Sequence, residues 1–181
     1  PKTTTAQWTV VGAGASVLSK QGEPFYPKIT YATTGRVLDF GIKDANNMGA
    51  AMAPAAAETI MLHLEETGRD ISYYDKIVTG DLGKLGAGIL FDLLNNEGIR
   101  ACDNYFDCGI EIYKENNDMH CGGSGCGCGG SVLNGYFIKN MIEGTYKKIL
   151  FVATGALLSP TSTGQGESIP AIAHAIAIET E

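Results

Sequence analysis

Residues 147–157 read KKILFVATGAL, and from Ile149 to Val152 no polar residue interrupts the run. Successive side chains of a strand point to opposite faces, so a strand that is apolar on both needs cover above and below. That demands a layered fold, and the rest of the chain supplies candidate layers. Residues 8–19 (WTVVGAGASVLS) and 28–39 (KITYATTGRVLD) are expected to be strands, separated by the turn KQGEPFYP. Residues 53–68 (APAAAETIMLHLEETG) predict a helix with Pro54 in its first turn and Gly68 as its stop. KIVTGD (76–81) is a short strand, GAGILFDLLNNEG (86–98) a helix, ACDNYFDCGIEIY (101–113) irregular, and SVLNGYFIKNMIEG (131–144) a helix. IPAIAHAIAIE (169–179) alternates with period two and reads as a strand. It follows the 147–157 strand through LSPTSTGQGES, so an antiparallel pair and a mixed sheet are expected. Alternating strands and helices give an α/β class with three layers, and with no linker or repeat residues 1–181 read as one domain.

Composition narrows the function. A net charge of −7 with no basic cluster longer than Lys147-Lys148 argues against nucleic acid as a partner. There is no apolar run of 18 residues and no charged-then-apolar leader, so a cytosolic or membrane-peripheral protein is expected. The chain opens in strand-like sequence without an initiator Met and reads as a piece of a longer one. The odd set Cys102, Cys108, Cys121, Cys126 and Cys128 suggests free thiols.

Three of those thiols fall in residues 121–130, CGGSGCGCGG, which precede the 131–144 helix. A zinc or iron–sulfur site wants two separated ligand pairs, and Cys126 and Cys128 form only a single C-x-C pair, so no metal is expected there. A nucleophile needs a base beside it, and His120 is only a sequence neighbour of Cys121. Two readings remain open. The glycines let the first helical amides reach an anionic ligand, or they let the helix pack closely on the sheet.

The segments TGRVLDFGIKDANNMGAAMAPAAAETI, VTGDLGKLGAGIL, GGSGCGCGG and FVATGALLSPTSTGQGESIPAIAHAIAIE together resemble the stage V sporulation protein AD family of spore-forming bacteria, and this chain is similar to its C-terminal half. The resemblance implies a thiolase-like fold, so this half should expose apolar surface where the other half belongs. It implies binding of dipicolinic acid (pyridine-2,6-dicarboxylic acid) and its uptake into the forespore. The implied partners are the N-terminal half of the family protein, other subunits of the sporulation membrane transport complex, and further copies in a homo-oligomer. The implied location is peripheral at the forespore or spore inner membrane, and no cofactor is implied. Where thiolase-like enzymes carry a catalytic His, this sequence has Gly122. Asp81 stands where condensing enzymes of that fold often have a second His, and the terminal loop reads Gly155-Ala156-Leu157-Leu158-Ser159 in place of a second Cys. These departures point to binding without turnover. The alternatives are a degenerate acyltransferase or a structural docking subunit.

The resulting ligand site comprises Asp81, Ser124, Gly125, Cys126, Gly127, Ser159 and Ser168. Amides and hydroxyls would hold the carboxylates, with Arg36 and Lys84 as the nearest cations in sequence. Each has a plainer alternative. Asp81 can be a turn or cap former, His174 a satisfied core or interface residue, and His63 a surface or boundary residue.

Overall fold

The computed structural model describes residues 3–100, 104–113 and 117–181, with the side chain of Asn117 excepted. Its strands are β1 (Trp8–Thr9), β2 (Lys28–Thr34), β3 (Lys76–Thr79), β4 (Tyr105–Asp107), β5 (Gly123–Ser124), β6 (Lys148–Ala156) and β7 (Ala171–Glu179). The helices are α1 (Met48–Thr67), α2 (Gly83–Asn96), α3 (Cys108–Ile112), α4 (Cys126–Val132), α5 (Ile138–Ile142) and α6 (Pro160–Gly164), with a π-helical turn at Leu133–Phe137 joining α4 to α5. The main sheet has the order β2-β7-β6-β3-β4. β3 runs parallel to β4 and β6, whereas β7 is antiparallel to β6 and β2, so the sheet is mixed as expected.

Side-chain alternation in the sheet builds two cores. Leu150 and Val152 of β6, Ile77 of β3 and Ala171, Ala173, Ala175 and Ala177 of β7 face α1 and α2. Ile149 and Phe151, Val78 and Ile178 face the other way, against Phe137, Met141 and the buried thiols of Cys108 and Cys128. The result is three layers, with β6 covered on both faces as its apolar run requires. The alanines of β7 leave room for the alanine-rich stretch Ala53 to Ala57 of α1, so helix and sheet approach closely.

Several boundaries differ from expectation: the 28–39 strand ends at Thr34 and the 86–98 helix begins at Gly83, and four differences go further. The 8–19 strand survives only as β1, paired over two residues with β5; from Val11 to Lys20 the chain is exposed, because strand-forming residues without a partner strand cannot make a ladder. Helix α1 begins at Met48, where the Asn47 side chain accepts from the Ala50 amide, so Pro54 lies inside the helix. The "irregular" 101–113 segment contains β4 and α3, while residues 101–103, and with them Cys102, lie outside the described residues. The helix after the glycine stretch starts at Cys126, which puts Gly127, Gly129 and Gly130 inside α4.

His63 is the clearest correction. Flanked by Leu62 and Leu64 and followed by two glutamates, it reads as a boundary residue, yet it is fully buried between α1 and β2. Its two ring nitrogens have partners at both ends, which removes most of the cost of burying it. Lys147 is exposed, as expected for the solvated entrance to β6. Apolar side chains also remain in solvent, notably Val37, Phe40 and Leu157, each about two-thirds exposed (66%, 64% and 67%). On the face of the sheet turned away from α1, Ile29, Ala32 and Thr34 of β2 are exposed beside His174 of β7.

Candidate functional site

The carboxyl ends of the parallel strands β3, β4 and β6 lie side by side, the position where open α/β sheets place ligands. Each end carries a polar group that turns inward. Asp81, two residues past β3, is only 9% exposed. Its Oδ2 accepts from the Gly125 amide at 2.8 Å and its Oδ1 from the Thr154 hydroxyl of β6 at 2.9 Å. The Gln7 amide nitrogen donates to the carbonyls of Asp81 and Gly123 at 2.9 and 3.0 Å, which ties the β1 segment to the same place. Burial pushes the Asp81 carboxyl above its usual range, against the pull of the Gly125 and Thr154 hydrogen bonds. Asp81 thus holds the glycine stretch against the sheet. Thr154→Val removes the hydroxyl from this clamp and is expected to cost about 1 kcal/mol in chemical denaturation.

A second carboxylate, Asp107 at the end of β4, was not among the residues selected from sequence. It accepts from Thr79 Oγ1 (2.7 Å) and the amides of Leu82 (2.9 Å), Gly83 (3.1 Å) and Ile110 (2.9 Å). Its signal was present: an Asp directly before Cys108-Gly109-Ile110-Glu111 is an N-cap followed by a first-turn acid.

The thiols follow from this setting. Cys128 and Cys108 are wholly buried near these two carboxylates. Burial first, then the charges of Asp81 and Asp107, pushes the Cys128 thiol up to about 12. Burial and Asp107 likewise raise Cys108. Neither forms a thiolate near neutrality, so neither is an activated nucleophile. Cys121 is buried with its Sγ donating to the Thr4 carbonyl at 3.3 Å, and Cys126 at the start of α4 is exposed.

Of the residues selected from sequence, the structure brings Asp81, Ser124, Gly125, Cys126 and Gly127 together. Ser124 sits in β5, its carbonyl accepting from the Val10 amide at 2.9 Å. Gly125 has φ +99°, a conformation that favours glycine, and there the chain turns from β5 into α4. A Cβ on Gly127 would stand 2.2 Å from the Gly12 carbonyl oxygen, so the exposed arm after β1 lies directly over the helix start. Ser159 and Ser168 belong to the β6–β7 connection and are engaged there. Ser159 caps α6 by accepting from the Ser162 amide at 3.5 Å, and Ser168 donates to Asp39 Oδ2 at 2.5 Å. Arg36 pairs with Glu58, Lys84 is exposed at the start of α2, and His120 adopts φ +43° just before the stretch. His174 is exposed, its Nδ1 accepting from the Gly35 amide at 3.1 Å.

These features define a three-layer α/β domain with a mixed five-stranded sheet and a glycine-rich helix start clamped at the carboxyl edge of its parallel strands. The family model for stage V sporulation protein AD (SpoVAD) matches residues 1–179, and the chain belongs to that family. It is 44% identical over 178 residues to the stage V sporulation protein AD of Bacillus subtilis (strain 168), covering 98% of this chain. The chain spans about half the length of that relative (52%). Among solved structures it is similar to 3-oxoacyl-[acyl-carrier-protein] synthase III from Aquifex aeolicus VF5, with 13% identity, a TM-score of 0.46, and coverage of 89% of this chain and 46% of that one.

Proposed function

We propose that this sporulation-family domain contributes a binding surface for dipicolinate, or a closely similar small aromatic dicarboxylate, at the start of α4, and that it binds without turnover. The observation that carries the reading is the Asp81 clamp, which fixes Gly125 so that α4 begins at the carboxyl edge of β3 and β6. The Gly125 amide is taken by Asp81 and the Cys128 amide by the Gly125 carbonyl at 2.9 Å, which leaves the amides of Cys126 and Gly127 without an acceptor inside α4; with the helix dipole they favour a carboxylate. The raised thiols of Cys108 and Cys128 suit binding better than acyl transfer.

The exposed apolar residues Val37, Phe40 and Leu157 and the bare face of β2 and β7 are the natural contacts for the remainder of a family-length chain, its N-terminal half, which would supply cations for the second carboxylate. Assembly with the other subunits of a sporulation membrane complex, and as a homo-oligomer, belongs to the same proposal. It would act peripherally at the membrane, consistent with the lack, among the described residues, of any helix long and apolar enough to cross one.

Calorimetric titration of dipicolinate tests the reading in a family-length protein carrying this sequence. Gly125→Val is expected to abolish binding. Cys126→Phe, on an exposed position that tolerates bulk, is expected to weaken it at least tenfold without unfolding the domain, whereas His120→Ala leaves it nearly unchanged. Normal affinity in the Cys126 variant moves the pocket elsewhere, and thioester turnover lost with His120→Ala would replace binding by acyl transfer.

A further inference from the structure

A second polar assembly lies between α1 and the edge strand β2, remote in role from the glycine stretch. Arg69 has only donors, so its Nη1–H donates to Tyr74 Oη at 2.9 Å. The phenol oxygen and His63 Nε2 lie 2.5 Å apart, and because that oxygen already accepts from Arg69 the phenol proton is assigned to this bond. With Nε2 accepting, the neutral ring carries its hydrogen on Nδ1, which donates to Thr33 Oγ1 of β2 at 2.8 Å. Hydrogen bonds therefore run in one direction, from Arg69 through Tyr74 and His63 to the edge of the sheet.

The surroundings leave a second positive charge poorly compensated. From β2, Tyr31 and Thr33 face His63; from the segment after α1, Tyr74 does, with the Arg69 charge close by and Tyr73 against the Arg69 guanidinium. From β7 comes Glu179, and it is already committed to Arg69 (2.7 Å), the Tyr73 hydroxyl (3.0 Å) and the Thr30 hydroxyl (2.6 Å). The Arg69 guanidinium lies over the rings of Tyr31 and Tyr73 at 4.5 and 4.2 Å, and Lys148 of β6 sits over Tyr73 at 4.1 Å. A proton on Nε2 would turn the Tyr74 O–H away and set imidazolium and guanidinium on one phenol oxygen.

We propose that His63 is an acid-sensitive latch: protonation of Nε2 breaks the Tyr74–His63 bond and places a second, uncompensated cation beneath β2, and β2 opens from α1 and from its ladder with β7 so that water reaches the imidazolium, while β3, β6 and β7 stay paired. Burial, and then the Arg69 charge, hold the His63 imidazole below its ordinary 6.5, with Glu179 opposing. The unfolded or released state therefore takes up the proton first. The latch is intact above about pH 6.5 and its contribution is lost as the pH falls from there through the lower, native value.

Amide hydrogen exchange, corrected for intrinsic rates, reads this directly. Between pH 7.5 and 5.5 the protection of the β2 amides is expected to fall, by up to about tenfold, the limit set by one pH unit below the ordinary value, while that of β6 is retained, and His63→Gln should remove this pH step whatever its absolute stability. Flat protection in β2, an equal fall in the Gln variant, or simultaneous loss in β6 would each overturn the latch. If the variant does not fold, the ring resonances of His63 in the unaltered protein decide. Titration well below the ordinary value, together with β2 shifts, supports the latch; titration at the ordinary value with β2 unmoved refutes it.

Discussion

Asp107→Ala should lower the unfolding free energy by about 3–5 kcal/mol, measured by urea or guanidinium denaturation monitored at two probes. The carboxylate is 2% exposed, so nothing replaces it from solvent. Its removal strands the Leu82 and Gly83 amides at the entry to α2, the Ile110 amide in α3, and one donor bond of Thr79. Each buried group left without a partner costs about 1–3 kcal/mol, and these costs overlap because all four donors share one carboxylate. Burial raises the Asp107 carboxyl, and its four hydrogen bonds, from Thr79, Ile110, Gly83 and Leu82, counter that rise. Asp107→Asn, which keeps one acceptor oxygen but turns an NH2 toward donors, should cost about 2 kcal/mol. A loss below about 1 kcal/mol for the alanine variant would mean that the three segments are held together by packing alone.

Gly86→Val should be nearly as damaging, at about 3 kcal/mol or more, because it acts where α1 and α2 touch through their backbones. A Cβ at Gly86 would stand 2.9 Å from the Gly49 Cα, and one at Gly49 would stand 2.4 Å from the Leu82 carbonyl oxygen. Neither obstacle is the end of a flexible side chain, so the helices must separate and open the core around Met52, Leu90 and Leu94. Gly88→Ala provides the control on the same helix. That position is exposed with nothing within 4 Å of the added carbon, so the better helix former should stabilise by about 0.5–1 kcal/mol. Thermal unfolding of the three proteins distinguishes steric exclusion from propensity, since propensity alone would move both variants only slightly.

Much of the architecture was legible in local pattern. The uninterrupted Ile149 to Val152 run marks a strand covered on both faces, the period-two alternation of 171–179 marks its antiparallel neighbour, and Gly68, Gly98 and Gly144 stand just after helices. The family resemblance was carried by residues as well, through long motifs that match over nearly the whole chain. These signals are local in the chain, because side-chain period and cap chemistry depend only on near neighbours.

What tertiary structure alone decided was pairing. The sequence WTVVGAGASVLS has the composition of a strand, yet only Trp8 and Thr9 pair as one, and Gly12 lies over Gly127 instead. Asp81 reads equally well as a turn former or a site residue until Thr154 and Gly125 arrive from far along the chain to occupy its two oxygens. His63 sits in a sequence context of two leucines and two glutamates, and its burial follows from Thr33 and Tyr74 meeting its two nitrogens. A polar side chain can be buried only where partners converge on it, and that convergence is set by strand order and helix packing, which no local pattern encodes.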